Sequence, residues 1–308
     1  MARIFVSGLI NIETTLRIDQ FPIQYFPVNY PFYGINTSVS GVGFNIAKAL
    51  SILSNSVDLI SITGKDIYEP VIREELKKIG LSDQYLQPVM EKTPQSVILY
   101  DTDGRRQIHV DLKNIQDEIY PPQDCKDALL ESELCVLCNI NYSRAFMEIA
   151  KNNGKLIATD IHAVRDLNDE YNLDFVKAAD ILFLSNENLS QPPEKFIQSI
   201  WQNFQTPICV IGMGNMGALL AVNSDKSIVR YPAIQVRQVV NTIGAGDALF
   251  SAFIDGYLWN NDPYLALQKA IVFASYKIGI SGAAEGFLNR VELEDLSEKF
   301  LPLSPNNY

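Results

Sequence analysis

Between Asn241 and Asp247 the sequence places two glycines, an alanine and an acidic residue side by side. The run reads Asn-Thr-Ile-Gly-Ala-Gly-Asp and continues into a stretch of good helix formers. Glycine lets the backbone turn tightly and leaves its N–H groups open to a ligand, and the first N–H groups of a helix have no partner within it. Such a turn can bind a phosphate or the negative charge that develops in a reaction. Asp247 then either caps the helix or supplies a carboxylate for proton transfer.

Two elements must position this turn. Alternating apolar and polar residues predict a strand over 234–240, and apolar residues on a helical period predict a helix over 246–259. A further helix is predicted over 262–278 by the same period. The turn is therefore predicted to join a strand to a helix, which places its amide groups at the positive end of the helix dipole.

The stretch from Thr242 to Asp247 resembles the carboxy-terminal signature of the ribokinase-like (PfkB) kinases, written D-T-x-G-A-G-D. The resemblance implies ATP-dependent phosphorylation of a sugar, a sugar derivative or a nucleoside. It implies that Asp247 is the catalytic base and that Thr242 lies beside the nucleotide. It also implies an anion hole made of three consecutive amides, those of Gly244, Ala245 and Gly246.

Asn241 stands where this signature has its first Asp. In some members of the family that Asp helps to hold a monovalent cation. The resemblance therefore leaves a requirement for such a cation open.

Two stretches near the amino terminus resemble the family's acceptor site. Asn11 and Glu13 follow the first predicted strand, at the edge where open α/β sheets bind ligands. The family has an Asp in an N-x-D pattern here that binds substrate hydroxyls. Glu13 either reaches the same hydroxyls with a longer side chain or lies in solvent. The run that begins at Ser40 resembles the signature G-G-x-G-x-N, which implies contacts to the sugar from Gly41, Gly43 and Asn45.

A stretch after the predicted strand over 180–185 resembles the family's N-x-x-E pattern, whose Asn and Glu organise magnesium and phosphate through water. Asn186 matches the Asn, but Leu189 stands at the Glu position. The resemblance therefore implies that Asn186 helps to organise Mg²⁺ through water, and Glu187, two residues before the usual Glu position, is the candidate for the second metal-binding residue.

The glycines at 212, 214 and 217 spell G-x-G-x-x-G, the pattern of a dinucleotide site. That site requires a helix after the glycines, whereas the sequence predicts a hairpin of strands. A dinucleotide site is therefore rejected. The resemblance implies instead that Gly214 and Gly217 place backbone against ATP, and a tight hairpin without a ligand is the alternative.

An aromatic and proline-rich segment, residues 17–38, is interpreted as short strands of a flap, and a loop folded onto the core is the alternative. Residues 96–110 are predicted to form a hairpin with its turn at Asp103-Gly104. Because two strands alone are marginal, the flap is the expected partner of this hairpin. The family carries a β-sheet lid over the sugar, so about 14–38 and 93–113 are expected to form a lid. The lid is also a candidate surface for a homodimer.

Strands and helices alternate from about residue 120, which predicts a parallel sheet with right-handed crossovers. With the resemblance, this predicts a three-layer α/β/α ribokinase-like fold in which residues 1–308 form a single domain. The carboxyl ends of the strands would then bring the candidate residues to one edge of the sheet.

The composition and net charge indicate which classes of binding partner are not expected. The net charge of −11 is unusual for a nucleic-acid binder. The sequence has no signal peptide and no apolar run near the ~18 residues that span a bilayer. Cys135 and Cys138 are spaced to point to opposite faces of a strand, so they are interpreted as core thiols. Nucleic acid and membrane are therefore not expected as partners, and the cytoplasm is the expected compartment.

These residues together suit phosphoryl transfer from ATP, with Mg²⁺, to a sugar hydroxyl. A nucleoside kinase of the same family is the first alternative, because the aromatic flap could stack a base. A nucleotide- or sugar-binding protein that has lost the chemistry is the second. The substitutions at Asn241, Leu189 and Ser40 favour that reading, and the intact Asp247 opposes it.

Overall fold

The computed structural model describes residues 1–102 and 104–301. Its strands, numbered in chain order, are β1 Arg3–Ser7, β2 Asn11–Arg17, β3 Ile35–Ser40, β4 Ser56–Gly64, β5 Leu86–Met90, β6 Gln95–Tyr100, β7 Arg106–Asp111, β8 Leu134–Leu137, β9 Leu156–Ala163, β10 Ile181–Ser185, β11 Ile208–Gly212, β12 Ala218–Val222 and β13 Ser227–Tyr231. Its α-helices are α1 Val42–Ile52, α2 Glu69–Lys78, α3 Lys126–Glu131, α4 Arg144–Asn152, α5 Leu173–Ala178, α6 Pro193–Phe204, α7 Ala245–Asn260, α8 Pro263–Lys277 and α9 Arg290–Phe300.

The large sheet has nine strands in the order β13-β12-β11-β10-β9-β8-β1-β4-β5. Its pairings are parallel except for the two that β12 makes with β11 and β13. The central strands are short apolar runs because helices cover both faces of a parallel sheet. Every residue of β8 is buried, for example.

Neighbouring residues of β1 show how the two faces are filled. Ile4 packs into a core with α1, α7 and α8, whereas Phe5 packs into a core with α3 and α4 on the opposite face. The predicted three-layer architecture with a mainly parallel sheet is confirmed. Cys135 and Cys138 lie in these two different cores as free, buried thiols, as predicted.

A small second sheet has four strands in the order β3-β2-β6-β7. The predicted hairpin is present as β6 and β7 in antiparallel register, while Asp103 of its predicted turn lies outside the described residues. The prediction of short strands across 17–38 is wrong for residues 18–34, which form neither helix nor strand. Prolines 22, 27 and 31 lack the N–H groups that a strand needs, so only the ends of the segment enter the sheet.

The strand predicted over 234–240 is absent, because backbone amides of this segment donate to groups at the end of α8 instead of to another strand. The amide of Val236 donates to Ser275 Oγ at 3.0 Å, and the amide of Val240 donates to the carbonyl of Ile278 at 2.8 Å. The segment is therefore tied to the carboxy-terminal end of a helix rather than to a neighbouring strand.

Helices α3, α6 and α9 were not predicted. A capping box marks α9, where Asn289 and Glu292 each accept from the other's backbone amide. Asp66 does not occupy the cap position of α2, which is Tyr68, and its carboxylate accepts hydrogen bonds from the amides of Tyr68 and Thr93.

Within the described ranges, none of the helices has both the length and the apolar character that crossing a membrane requires.

Candidate active site

The carboxylate of Asp247 meets the side chain of Asn45 at the amino-terminal end of α7. Asn45 Nδ2 donates to Asp247 Oδ2 at 2.7 Å, which links α7 to α1 across 202 positions of sequence. The interpretation of Asp247 as a helix cap is wrong, because Gly244 occupies the cap position and no side chain caps this helix. The acid is instead the third residue of α7 and is aimed at a polar partner from another element.

The turn before Asp247 presents open backbone donors. Ala245 N makes a long bond of 3.3 Å to the carbonyl of Thr242. In the part of the chain that the structure describes, the amides of Gly244, Gly246 and Asp247 donate to no protein acceptor. Three free donors at a helix amino terminus make an anion-binding site.

Gly244 is required for this turn. Its φ of 72° lies in the left-handed region, and a Cβ there would overlap the backbone of Ala283. A side chain would therefore separate the turn from the loop after α8.

Removal from bulk water raises the pKa of Asp247 to about 6. The hydrogen bond from Asn45 and the charge of His162 oppose this rise, whereas the charges of Asp160 and Glu13 add to it. A carboxylate with a pKa near neutrality is well matched to accept a proton from a hydroxyl group.

Glu13 lies on β2 rather than in solvent, and the protein itself uses both of its oxygens. Glu13 Oε1 accepts from the amide of Ala283 at 3.2 Å, and Oε2 accepts from Ser40 Oγ at 3.0 Å. Burial raises the pKa of Glu13. Glu13 and Ser40, which both depart from the family's pattern, are therefore in direct contact with each other.

Asn11 also lies on β2, where its Nδ2 donates to Ser96 Oγ at 3.1 Å. Its Oδ1 is buried and has no hydrogen-bond partner within residues 1–102 and 104–301. An unpaired buried acceptor is unfavourable, so this oxygen is available to a hydroxyl group of a ligand.

Gly41 and Gly43 bring α1 against the end of β1. Any Cβ at Gly43 would overlap the backbone of Gly8. This close approach carries Asn45, two residues further along α1, to Asp247.

On the side predicted for the nucleotide, Asn186 follows β10, and its amide donates to the carbonyl of Gly212 at 3.0 Å. Gly214 and Gly217 lie in the turn between β11 and β12, which confirms that a strand, not a helix, follows these glycines. Residues 242–247 form the anion-binding turn. Glu187 lies near it, because Arg106 contacts both Glu187 and Thr242.

Arg106 is one of three site residues that sequence reasoning missed. It donates from β7 to Thr242 Oγ1 at 2.8 Å and to Glu187 Oε1 at 3.1 Å. It therefore places a positive charge above the anion-binding turn. Its position on an exposed strand gave no signal in the sequence.

Asp160 and Lys277 are the other two. Asp160, at the end of β9, lies 3.9 Å from the position that a Cβ on Gly246 would occupy. Lys277, the last residue of α8, is fully buried, and its ammonium donates to the carbonyls of Ile243 and Gly282. Its place near the end of a strand could have identified Asp160 as a site residue. Lys277 could not be identified in this way, because a lysine in the last turn of a helix usually extends into solvent.

The donor set suits Mg²⁺ held mainly by nucleotide phosphates. The described residues contain no group of three His, Cys, Asp or Glu side chains able to hold a metal ion. Mg²⁺ keeps several waters and needs only one or two carboxylates beside substrate phosphates. Glu187 offers one exposed carboxylate near Thr242, and Asn186 precedes it.

The chain is similar to known proteins over nearly its whole length. Residues 1–289 match the family described as pfkB family carbohydrate kinase. The chain is 25% identical over 302 residues to the ATP-dependent ribose-1-phosphate kinase of Halopiger xanaduensis, covering 97% of this chain and 100% of that one.

Two solved structures share the fold. The microbiome-derived acarbose kinase Mak1 has a TM-score of 0.87 at 23% identity, covering 96% of this chain and 99% of that one. The nucleoside kinase of Methanocaldococcus jannaschii has a TM-score of 0.78 at 17% identity, covering 97% and 99%.

Proposed function

The chain belongs to the pfkB family of carbohydrate kinases, and we propose that it transfers the γ-phosphate of ATP to a hydroxyl group of a small sugar or sugar derivative. One observation carries the proposal. The carboxylate of Asp247, held by Asn45, lies beside three open amides at the start of α7. A base next to an anion-binding turn is what phosphoryl transfer to an alcohol requires.

In the proposed mechanism, Asp247 accepts the proton of the acceptor hydroxyl while the hydroxyl oxygen bonds to the γ-phosphorus. The bond from that phosphorus to the bridging oxygen breaks, and ADP leaves with the electron pair. The amides of Gly244, Ala245 and Gly246 stabilise the charge on the transferring oxygens, with the weak bond of Ala245 to Thr242 released. Thr242 and Arg106, which contact each other, are assigned to the nucleotide side of this centre.

Binding of the acceptor is assigned to Asn11 and Asn45, with Gly41 and Gly43 as the backbone that positions α1. The unpaired Oδ1 of Asn11 supports its part in this assignment. Glu13, which already accepts two hydrogen bonds from the protein, has remaining lone pairs for a third from the ligand.

On the nucleotide side, Gly214 and Gly217 are assigned to the backbone that lines ATP. Asn186 and Glu187 are the residues that would hold Mg²⁺, directly or through water. The ion would neutralise charge on the phosphates. Arg106 already contacts Glu187 and adds a positive charge to the same region.

The small sheet is proposed to act as a lid over the acceptor, within one domain that spans 1–308. Ile98 of β6 packs against Ile243 and Ala283. These two residues lie where the anion-binding turn meets the loop after α8. Segments 14–38 and 93–113 would then exclude water from the reacting groups.

A nucleoside kinase is the second candidate. Its support is the set of exposed aromatic rings in residues 18–34, which includes Tyr30 and Phe32 in a stacked pair. Such rings can stack a nucleobase or the apolar face of a sugar.

A panel of sugars, sugar phosphates and nucleosides separates the two candidates. Each is incubated with Mg-ATP, and ADP is measured. Turnover with sugars or their phosphates supports the proposal, turnover with nucleosides alone supports the second candidate, and ATP binding without turnover on any compound contradicts both.

The mechanism is tested with Asp247→Asn on the acceptor that the panel identifies. A positioned base contributes about 10²–10⁴-fold, so kcat is expected to fall by that factor while ATP affinity, measured by calorimetry, is unchanged. Asp255→Asn is the matched control, because Asp255 is a buried acid on the same helix that pairs with Asn55 and Arg290. This control is expected to lose stability but retain kcat.

A further inference from the structure

Lys277 has an unusual position for a lysine. It is fully buried, and its ammonium donates to two main-chain carbonyl oxygens, that of Ile243 and that of Gly282 at 2.6 Å. Buried ammonium groups are costly unless they are paired. A position at the carboxyl end of α8 lowers that cost, because the helix dipole there is negative.

The two carbonyls belong to different loops. Ile243 precedes Gly244 in the anion-binding turn, and Gly282 precedes Ala283 in the loop after α8. These loops touch, since a Cβ on Gly244 would overlap Ala283. The ammonium group of Lys277 therefore links the anion-binding turn to the loop after α8.

Carbonyl oxygens that converge from two loops form a site for a cation. In this chain the cation is part of the protein. Asn241, which replaces the acid that helps hold a monovalent cation in some relatives, is neutral and uses its Oδ1 to accept from the amide of Ile243 at 3.0 Å. No carboxylate remains at that position to hold a free ion, and the carbonyl of Ile243 is already bound by Lys277.

We propose that Lys277 is an internal substitute for a monovalent cation: a positioning residue whose ammonium holds the anion-binding turn in shape and makes phosphoryl transfer independent of free K⁺. This inference rests on the proposed function of the same turn. The positive charge behind the turn also favours phosphate binding at its open amides.

The surroundings keep Lys277 charged near neutral pH. Burial lowers its pKa to about 8, while the negative charges of Asp247, Glu13 and Glu285 oppose this fall and Arg237 adds to it. At pH 7 the ammonium form therefore predominates.

The test compares salts and two variants. Wild-type kcat is expected to be equal in KCl, NaCl and choline chloride at one ionic strength. Lys277→Ala removes the charge and opens space, so its kcat is expected to fall at least about tenfold in choline chloride and to recover in part with K⁺ or NH₄⁺. Lys277→Met removes the charge but fills the space, so it is expected to stay low in every salt.

A second readout does not depend on the acceptor. The melting temperature of Lys277→Ala is expected to rise when K⁺ or NH₄⁺ replaces choline, whereas those of the wild type and Lys277→Met are not. If the acceptor panel finds no substrate, this measurement still decides the role of Lys277.

The proposal is overturned if K⁺ raises the wild-type rate several-fold over choline. It is also overturned if Lys277→Ala is as active as the wild type in choline chloride, or if neither its rate nor its melting temperature responds to K⁺ or NH₄⁺.

Discussion

Two regions of the molecule, the start of α7 and the proposed flap over residues 18–34, differ in how firmly their side chains are held. At the start of α7, Asp247 is bound by Asn45 and the adjoining turn is held from below by Lys277. In residues 18–34 the aromatic rings face solvent, with Phe32 86% exposed. The start of α7 has partners that fix its geometry, which suits chemistry. The exposed rings of residues 18–34 offer apolar surface to a ligand, which suits their proposed part in closure and choice of acceptor.

Two glycines give the strongest test of this difference. Gly244 at the start of α7 and Gly104 in the hairpin of the small sheet both have positive φ, 72° and 81°, but a Cβ at Gly104 would meet nothing within 4 Å. Gly104→Ala should lower the free energy of unfolding by about 1–2 kcal/mol, the penalty of the left-handed conformation. Gly244→Ala adds overlap with Ala283, worth about 1–3 kcal/mol more.

Activity should separate these glycine variants further. Gly244→Ala displaces open amides, and losing one such donor lowers kcat about 10²–10³-fold, whereas Gly104→Ala should retain kcat. Urea unfolding and steady-state rates check both statements. Equal losses of stability in the two variants would show that the anion-binding turn is no more constrained than the turn of the β6–β7 hairpin.

Arg106 connects the small sheet to the start of α7, because it reaches from β7 to Thr242 and Glu187. Arg106→Ala should lower kcat/KM for ATP about tenfold, since hydrogen bonds to charged groups contribute about 1.5–3 kcal/mol and solvent screens part of that. Arg230→Ala is the control, because Arg230 makes a comparable exposed pair with Glu194. The same small effect in both variants would remove Arg106 from the site.

The exposed rings should show the smallest effects. Phe32→Ala and Tyr30→Ala are expected to raise KM for the acceptor a few-fold, with changes in unfolding free energy within about 0.5 kcal/mol, as for other surface positions. Steady-state kinetics and thermal unfolding measure these quantities. An unchanged KM together with loss of a dimer in sedimentation would assign the rings to a second copy of the chain.

The same contrast explains what the sequence could predict. The βα alternation and the apolar strands depend on local periodicity, so the strand predicted over 180–185 is observed as β10, Ile181–Ser185. The strand predicted over 234–240 failed because its alternation is genuine but its hydrogen-bond partner is a helix end. Local pattern does not reveal which element will be the neighbour.

In the site, Asp247 and Asn45 were identified by motif, but their contact was not, since it joins residues 202 positions apart. Lys277 escaped notice because its sequence neighbours resemble any helix end, and only the fold places two carbonyls around its ammonium. Arg106 was missed for the same reason, because its partners lie on other loops.

The central claim is that Asp247 accepts the proton, and the pH dependence of kcat/KM for the acceptor tests it most directly. Only the ionised acid can act as a base, so activity should fall as the pH drops through the raised pKa, with an apparent value near 6. Asn45→Ala should move this acid limb to higher pH, because the hydrogen bond from Asn45 lowers the pKa of Asp247. A profile that stays flat down to pH 5, or a limb that Asn45→Ala leaves in place, would contradict the claim.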